Sequence, residues 1–184
     1  MNVHITCTPD FSEELLDNVI ETLNQTPGVI KFHKSPVKSK DHFDDYLTGF
    51  NDYNRLSNDQ FHRISKVFRR QNNISEEDCF VLISDKLHKY NWFSAFRDNN
   101  IFVIGTEWDM FIEGEHKYGI AHQVVENVFQ MLIELIIEGD SLDPLIHIER
   151  PIGCINDYCG NKKDIEYKIF SARICKNCTE RAYQ

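Results

Sequence analysis

The chain has 184 residues and a formal net charge of −9 at pH 7, with 41% apolar and 12% aromatic residues. This length fits about one domain with a substantial core, and no apolar run reaches the eighteen residues expected of a membrane span. Residues 150–184 carry a net charge of +3 and the rest carries −12, a body that nucleic-acid phosphates would repel.

The first third of the chain has the pattern of an α/β protein. Residues 1–7 alternate apolar and polar side chains, as a half-buried strand does. Asp10 and Glu13 fit a capping box, and the residues that follow have apolar side chains at helical spacing until Pro27 and Gly28. Residues 29–33 resemble a second strand. A strand, a helix and a strand in this order predict a parallel pair.

The middle of the chain predicts three more strands and a helix. Residues 34–57 are polar and aromatic, and we expect an irregular connection there with a helical turn at residues 41–47. Ser57 should cap a helix that runs to Arg70. The continuous apolar run at residues 79–83 predicts a central strand. Residues 91–96 and 101–105 predict a hairpin.

A long helix is predicted over residues 118–138, ended by Gly139 and Asp140. His122 and Glu126 lie one turn apart at the edge of its apolar face, the geometry of helical metal ligands. The alternative, which we favour, is a hydrogen-bonded or salt-bridged pair at the edge of the core, because no third ligand has a diagnostic spacing. The candidates for that third ligand are His116, His147 and Glu115.

Four of the six cysteines form two short pairs near the end of the sequence. Cys154 and Cys159 enclose four residues, and Cys175 and Cys178 enclose two, spacings typical of a tetrahedral structural Zn²⁺ site. Two disulfides are the alternative. They are disfavoured because no secretory signal is visible at the start, which indicates a reducing cytoplasm.

The helical motif and the cysteine pairs together resemble a known family. His122-Gln-Val-Val-Glu126 inside a long helix, followed by Cys-x4-Cys and Cys-x2-Cys, is similar to a degenerate archaemetzincin. Archaemetzincins are zinc peptidases with an HExxHxxGxxH motif and a structural zinc site of four cysteines. The resemblance covers residues 79–178 and implies an α/β zincin-like fold, with a mixed sheet packed on helices.

The same resemblance implies that the catalytic site is lost. Only His122 matches a catalytic ligand. Gln123 replaces the general-base glutamate, and its amide cannot take a proton from a metal-bound water near neutral pH. Glu126, Phe129 and Leu132 replace the second histidine, the glycine and the third histidine. The resemblance therefore implies a pseudo-peptidase that retains one structural zinc.

We therefore predict one α/β domain over residues 1–184, with residues 150–184 as an integrated zinc-binding extension. The predicted function is a non-catalytic, zinc-stabilised cytoplasmic protein that works by binding a protein partner. One alternative is a metal-dependent hydrolase that uses His122 and Glu126 at a second metal. The other is a nucleic-acid-binding zinc module, for which the basic residues of the tail are Lys162, Lys163, Lys168 and Arg173.

Overall fold

A computed structural model describes residues 1–35, 55–134, 137–138 and 141–183. These residues fall into two compact units, residues 1–106 and 107–184. The assignment of a single domain stays a prediction. Most of the predicted connection at residues 34–57, including its helical turn, lies outside the described residues.

The first unit is built on a five-stranded mixed sheet in the order β2-β1-β4-β7-β6. The first four strands of this order are parallel, and β6 pairs antiparallel with β7. The strands are β1 (Asn2–Cys7), β2 (Lys31–Lys34), β4 (Cys79–Ser84), β6 (Ser94–Arg97) and β7 (Asn100–Ile104). Every residue of β4 and β7 is buried, as expected for strands covered on both faces. The predicted parallel pair, central strand and hairpin are all present.

Two helices and a short strand pair complete this unit as described. They are α1 (Glu13–Asn24), α2 (Asn58–Asn72), β3 (Arg55–Leu56) and β5 (Leu87–His88). Ser57 and Gln60 form a capping box at the start of α2. The predicted capping box at Asp10 is wrong, because Ser12 accepts the hydrogen bond from the N–H of Leu15 and begins α1 two residues later.

The second unit centres on a long helix, α3 (His116–Leu132). Its other elements are a 3₁₀ turn (Trp108–Met110), β8 (Ile137–Glu138), β9 (Ser141–Leu142), α4 (Asp164–Ser171) and α5 (Lys176–Ala182). Trp108 is fully buried against α3 at Gly119, where an added Cβ would lie 2.3 Å from the indole ring. Glycine therefore allows the helix to pack directly on this ring.

The helix α3 ends six residues before the predicted position, at Leu132 and not at Glu138. Glu134 has a φ of 52°, in the left-handed region that stops a helix. Ile137 and Glu138 pair antiparallel with Ser141 and Leu142. The prediction was wrong because a short apolar run fits a helix and a strand equally well. Among the described residues, no helix combines the length and apolarity required to cross a bilayer.

Candidate metal centre

The second unit brings four potential metal ligands together: His147, Cys154, Cys175 and Cys178. Their donor atoms all lie within 4.8 Å of one another. Cys154 and Cys178 are fully buried, Cys175 is nearly so, and His147 is half-buried. Ile155 belongs to the small apolar cluster formed by the three cysteines. Three thiols and one imidazole thus converge in a largely buried site.

Three of the distances between these donor atoms are close to those expected for tetrahedral zinc. Bonds of about 2.3 Å to sulfur and 2.0 Å to nitrogen place two sulfurs about 3.8 Å apart, and sulfur and nitrogen about 3.5 Å apart. The sulfurs of Cys154 and Cys178 are 3.8 Å apart. His147 Nε2 lies 3.4 Å from the sulfur of Cys175 and 3.8 Å from that of Cys178. The donor set is consistent with zinc binding, and its four protein ligands are typical of a structural site.

Local backbone structure places each ligand. Cys175 is the N-cap of α5 and Cys178 lies one turn into it, so both thiols face the same side. Cys154 lies in a loop whose backbone N–H groups bond to the Asp157 carboxylate. His147 donates its backbone N–H to the carbonyl of Asn156, and its own carbonyl accepts the N–H of Tyr158.

Burial and mutual hydrogen bonding shift the pKa values of the three thiols. Burial raises the pKa of Cys154 and that of Cys178 above the ordinary thiol value. Burial also opposes ionisation of Cys175, but hydrogen bonds from Cys178 lower its pKa overall. Such crowded, buried thiols become thiolates when a divalent cation replaces their protons. Zinc would supply that charge here.

Cys159 lies outside this group. Its sulfur is 3.9 Å from the carbonyl oxygen of Asp157, and burial raises its pKa to about 11. The assignment of Cys159 as a ligand stays a prediction, and the geometry favours His147 in its place. The short apolar stretch at residues 146–148 was the available signal, because it leads His147 towards the cysteines. The sequence predicts His147 only as a candidate third ligand for a metal at His122 and Glu126.

Glu126, on helix α3, forms an ion pair with a lysine and not with a metal ligand cluster. The Nζ atom of Lys168, on α4, lies 2.7 Å from Glu126 Oε2. The amides of Gln123 and Gln130 also donate to the two carboxylate oxygens, at 2.8 and 3.3 Å. Burial raises the pKa of Glu126, and Lys168 opposes that shift. The carboxylate of Glu126 is therefore surrounded by donors from the protein itself.

His122 is a neutral imidazole in this environment. Its Nδ1 atom is buried, and within the described part of the chain no donor or acceptor reaches it. Burial lowers the pKa of His122 to about 3, and the charge of Lys168 acts in the same direction. In the ranges that the structure describes, the His147 cluster is the one close group of three or more potential metal ligands. His122 and Glu126 do not belong to that group, and their role as ligands of a second metal stays an alternative prediction.

Lys168 is also unavailable to nucleic acid. Only 2% of this residue is exposed, and its Nζ donates to the backbone carbonyl of Asp157 as well as to Glu126. The proposed basic surface thus loses its central residue. Lys163, just before α4, and Arg173, just after its C-cap, remain exposed.

Solved structures similar to this chain include a zinc-dependent peptidase and an archaemetzincin. A zinc-dependent peptidase from Methanocorpusculum labreanum has a TM-score of 0.61 and 12% identity, covering 98% of this chain and 99% of that one. Archaemetzincin from Archaeoglobus fulgidus, complexed with malonate, has a TM-score of 0.54 and 9% identity, with the same coverage. No protein-family model and no curated protein matches the sequence. The mixed sheet, its helices and these two similarities establish that the chain has an archaemetzincin-like fold.

Proposed function

We propose that this chain is a non-catalytic protein with a metallopeptidase-like fold, stabilised by one zinc ion and working by binding another protein. The observation that carries the proposal is the ion pair between Glu126 and Lys168. It places an ammonium group where the helical motif would have to hold a catalytic cation. The free thiols of all six cysteines suit a reducing compartment, and we place the protein in the cytoplasm.

Three features of the second unit argue against hydrolysis. A metal-dependent peptidase needs a bound cation and a base that takes a proton from the metal-bound water. The fixed charge of Lys168 repels a second cation from Glu126, and Gln123 is an amide that donates to that same carboxylate. The His147 centre has four protein ligands and offers no open position for a substrate.

The metal content should separate the structural role from the catalytic one. We expect one zinc per chain by elemental analysis in both the wild type and His122→Ala, because His122 does not belong to the cluster. Neither protein should cleave peptide substrates above the buffer rate when zinc is in excess. Two zinc ions in the wild type, with one in His122→Ala, would contradict the proposal and support a hydrolase.

An exposed apolar face on α4 supports the role in protein binding. Tyr167 and Phe170 lie at helical spacing on α4 and are 54% and 69% exposed, and Ile174, which is 46% exposed, follows the end of the helix. Exposed Lys163 and Arg173 flank them. Aromatic residues beside basic ones are enriched in interfaces, and the charges select a partner with an acidic surface. We infer a protein partner that combines apolar and acidic side chains at this face.

This face can be tested with a single substitution. Phe170→Ser should weaken partner binding about tenfold or more, because buried aromatic residues carry much of the energy of an interface. The control is Val29→Ser, which changes an apolar residue that is 89% exposed in the other unit. Each variant and the wild type are used to capture binding proteins by affinity, and the captured proteins are compared. Titration of the purified captured protein then measures affinity at low and high salt. If Phe170→Ser binds the partner as tightly as wild type, or if the affinity does not change with salt concentration, this face is not the binding site.

A further inference from the structure

The residues Asn156 and Asp157 contact three of the four residues of the metal centre. The side-chain amide of Asn156 donates to the sulfur of Cys178 at 3.2 Å. The backbone carbonyl of Asn156 accepts a hydrogen bond from the backbone N–H of His147 at 3.1 Å. The carboxylate of Asp157 accepts the N–H of Cys154 at 3.1 Å. This two-residue segment therefore sets the positions of ligands that come from separate parts of the chain.

The segment is itself held by the buried ion pair. Lys168 Nζ donates to the carbonyl of Asp157 at 2.8 Å and to Glu126 at 2.7 Å. Gln130 lies within 3.3 Å of both Glu126 Oε1 and Asn156 Oδ1. Two continuous routes thus run from Glu126 to the metal centre, one through Lys168 and one through Gln130.

We propose that Glu126, Lys168 and Gln130 are positioning residues for the metal centre, acting through Asn156 and Asp157. Helix α3 would thereby influence how tightly the chain holds its metal. The physical reason is that partners of metal ligands fix ligand orientation, and their loss typically weakens metal binding about 10–100-fold. All the side chains of the network are buried, so water does not readily replace a lost partner. This inference rests on zinc binding at the His147 cluster, as proposed above.

Two nearly isosteric substitutions test the network in the full-length protein. Gln130→Met removes the amide that joins Glu126 to Asn156, and Asn156→Leu removes the N–H donor to the sulfur of Cys178. Each should lower zinc affinity about tenfold or more in competition with a chelating indicator. Asn156→Leu should also shift the thiolate-to-cobalt absorption bands of the cobalt-substituted protein.

The control separates positioning from general destabilisation. Val124→Ala opens a cavity at a fully buried apolar residue of the same helix. Any loss of affinity caused only by easier unfolding appears in this control, which should retain the wild-type cobalt spectrum. The losses in Gln130→Met and Asn156→Leu should exceed that in the control. A double variant of Gln130 and Asn156 should lose less than the sum of the two single losses, because both residues act on one route.

The outcomes for the two proposals are distinguishable. Wild-type affinity and cobalt spectrum in both variants would overturn the network and leave the structural zinc in place. Losses no larger than that of Val124→Ala would also overturn it. A wild-type protein that binds neither zinc nor cobalt would instead overturn the proposed function.

Discussion

Replacing His147 with alanine should release the zinc ion and unfold much of the C-terminal region. Cys159→Ser should keep both the zinc ion and the folded C-terminal region. The imidazole of His147 lies 3.4 Å from the sulfur of Cys175, while Cys159 lies outside the cluster. Metal binding by small structural sites contributes roughly 10–16 kcal/mol, and that energy is folding energy. Losing one of four ligands should therefore weaken zinc binding strongly and cost much of this folding energy.

Elemental analysis of the purified variants, together with thermal unfolding followed by circular dichroism, measures both effects. Cys175→Ser serves as the positive control, because the sequence spacing and the structure both place it at the centre. His147→Ala should behave like Cys175→Ser, with less than one zinc per chain and a lower melting temperature than wild type. A zinc ion retained in His147→Ala but lost in Cys159→Ser would restore the four-cysteine set.

Replacing Lys168 with methionine should destabilise the protein by about 3–5 kcal/mol, since it leaves the Glu126 carboxylate buried without its partner. The side chains of Lys168 and Glu126 are only 3% and 11% exposed, so water does not substitute for the lost ammonium. The double variant with Glu126→Gln should recover much of this loss, because no uncompensated charge then remains in the interior.

Urea unfolding at fixed zinc concentration gives the free energies for this double-mutant cycle. Lys163→Met is the matched control, as Lys163 is an exposed lysine at the start of the same helix. It should change stability by less than about 0.5 kcal/mol. A loss below about 1 kcal/mol in Lys168→Met would mean that the pair contributes little and that Glu126 takes a proton instead.

Much of the sheet could be predicted because its signals are local. The apolar run that forms β4 lies wholly within six residues. The hairpin of β6 and β7 is marked by the turn between its strands, at Asp98 and Asn99. Cysteine spacing likewise predicted the metal region, because Cys175 and Cys178 lie on one helical turn. The helical motif and the cysteine pairs together indicated the archaemetzincin-like fold.

The remaining features depend on contacts between distant parts of the chain. Whether His147 or Cys159 faces the thiols is decided by the path of the loop around Asn156, which spacing does not encode. Lysine in a short amphipathic helix is ordinarily exposed, so no pattern marked Lys168 as the partner of Glu126. The early end of α3 results from one left-handed residue, Glu134. Tertiary contacts determine the first two features, whereas the third is a local feature of the backbone.

The two short helices that follow the cysteine loop have a consequence for the life of the protein in a cell. Helices α4 and α5 have 8 and 7 residues, too few to persist alone in water. A chain deprived of zinc would present this region as an unfolded tail, the form that proteases cleave most readily. Its abundance would then follow the supply of zinc through turnover, with no change in its synthesis.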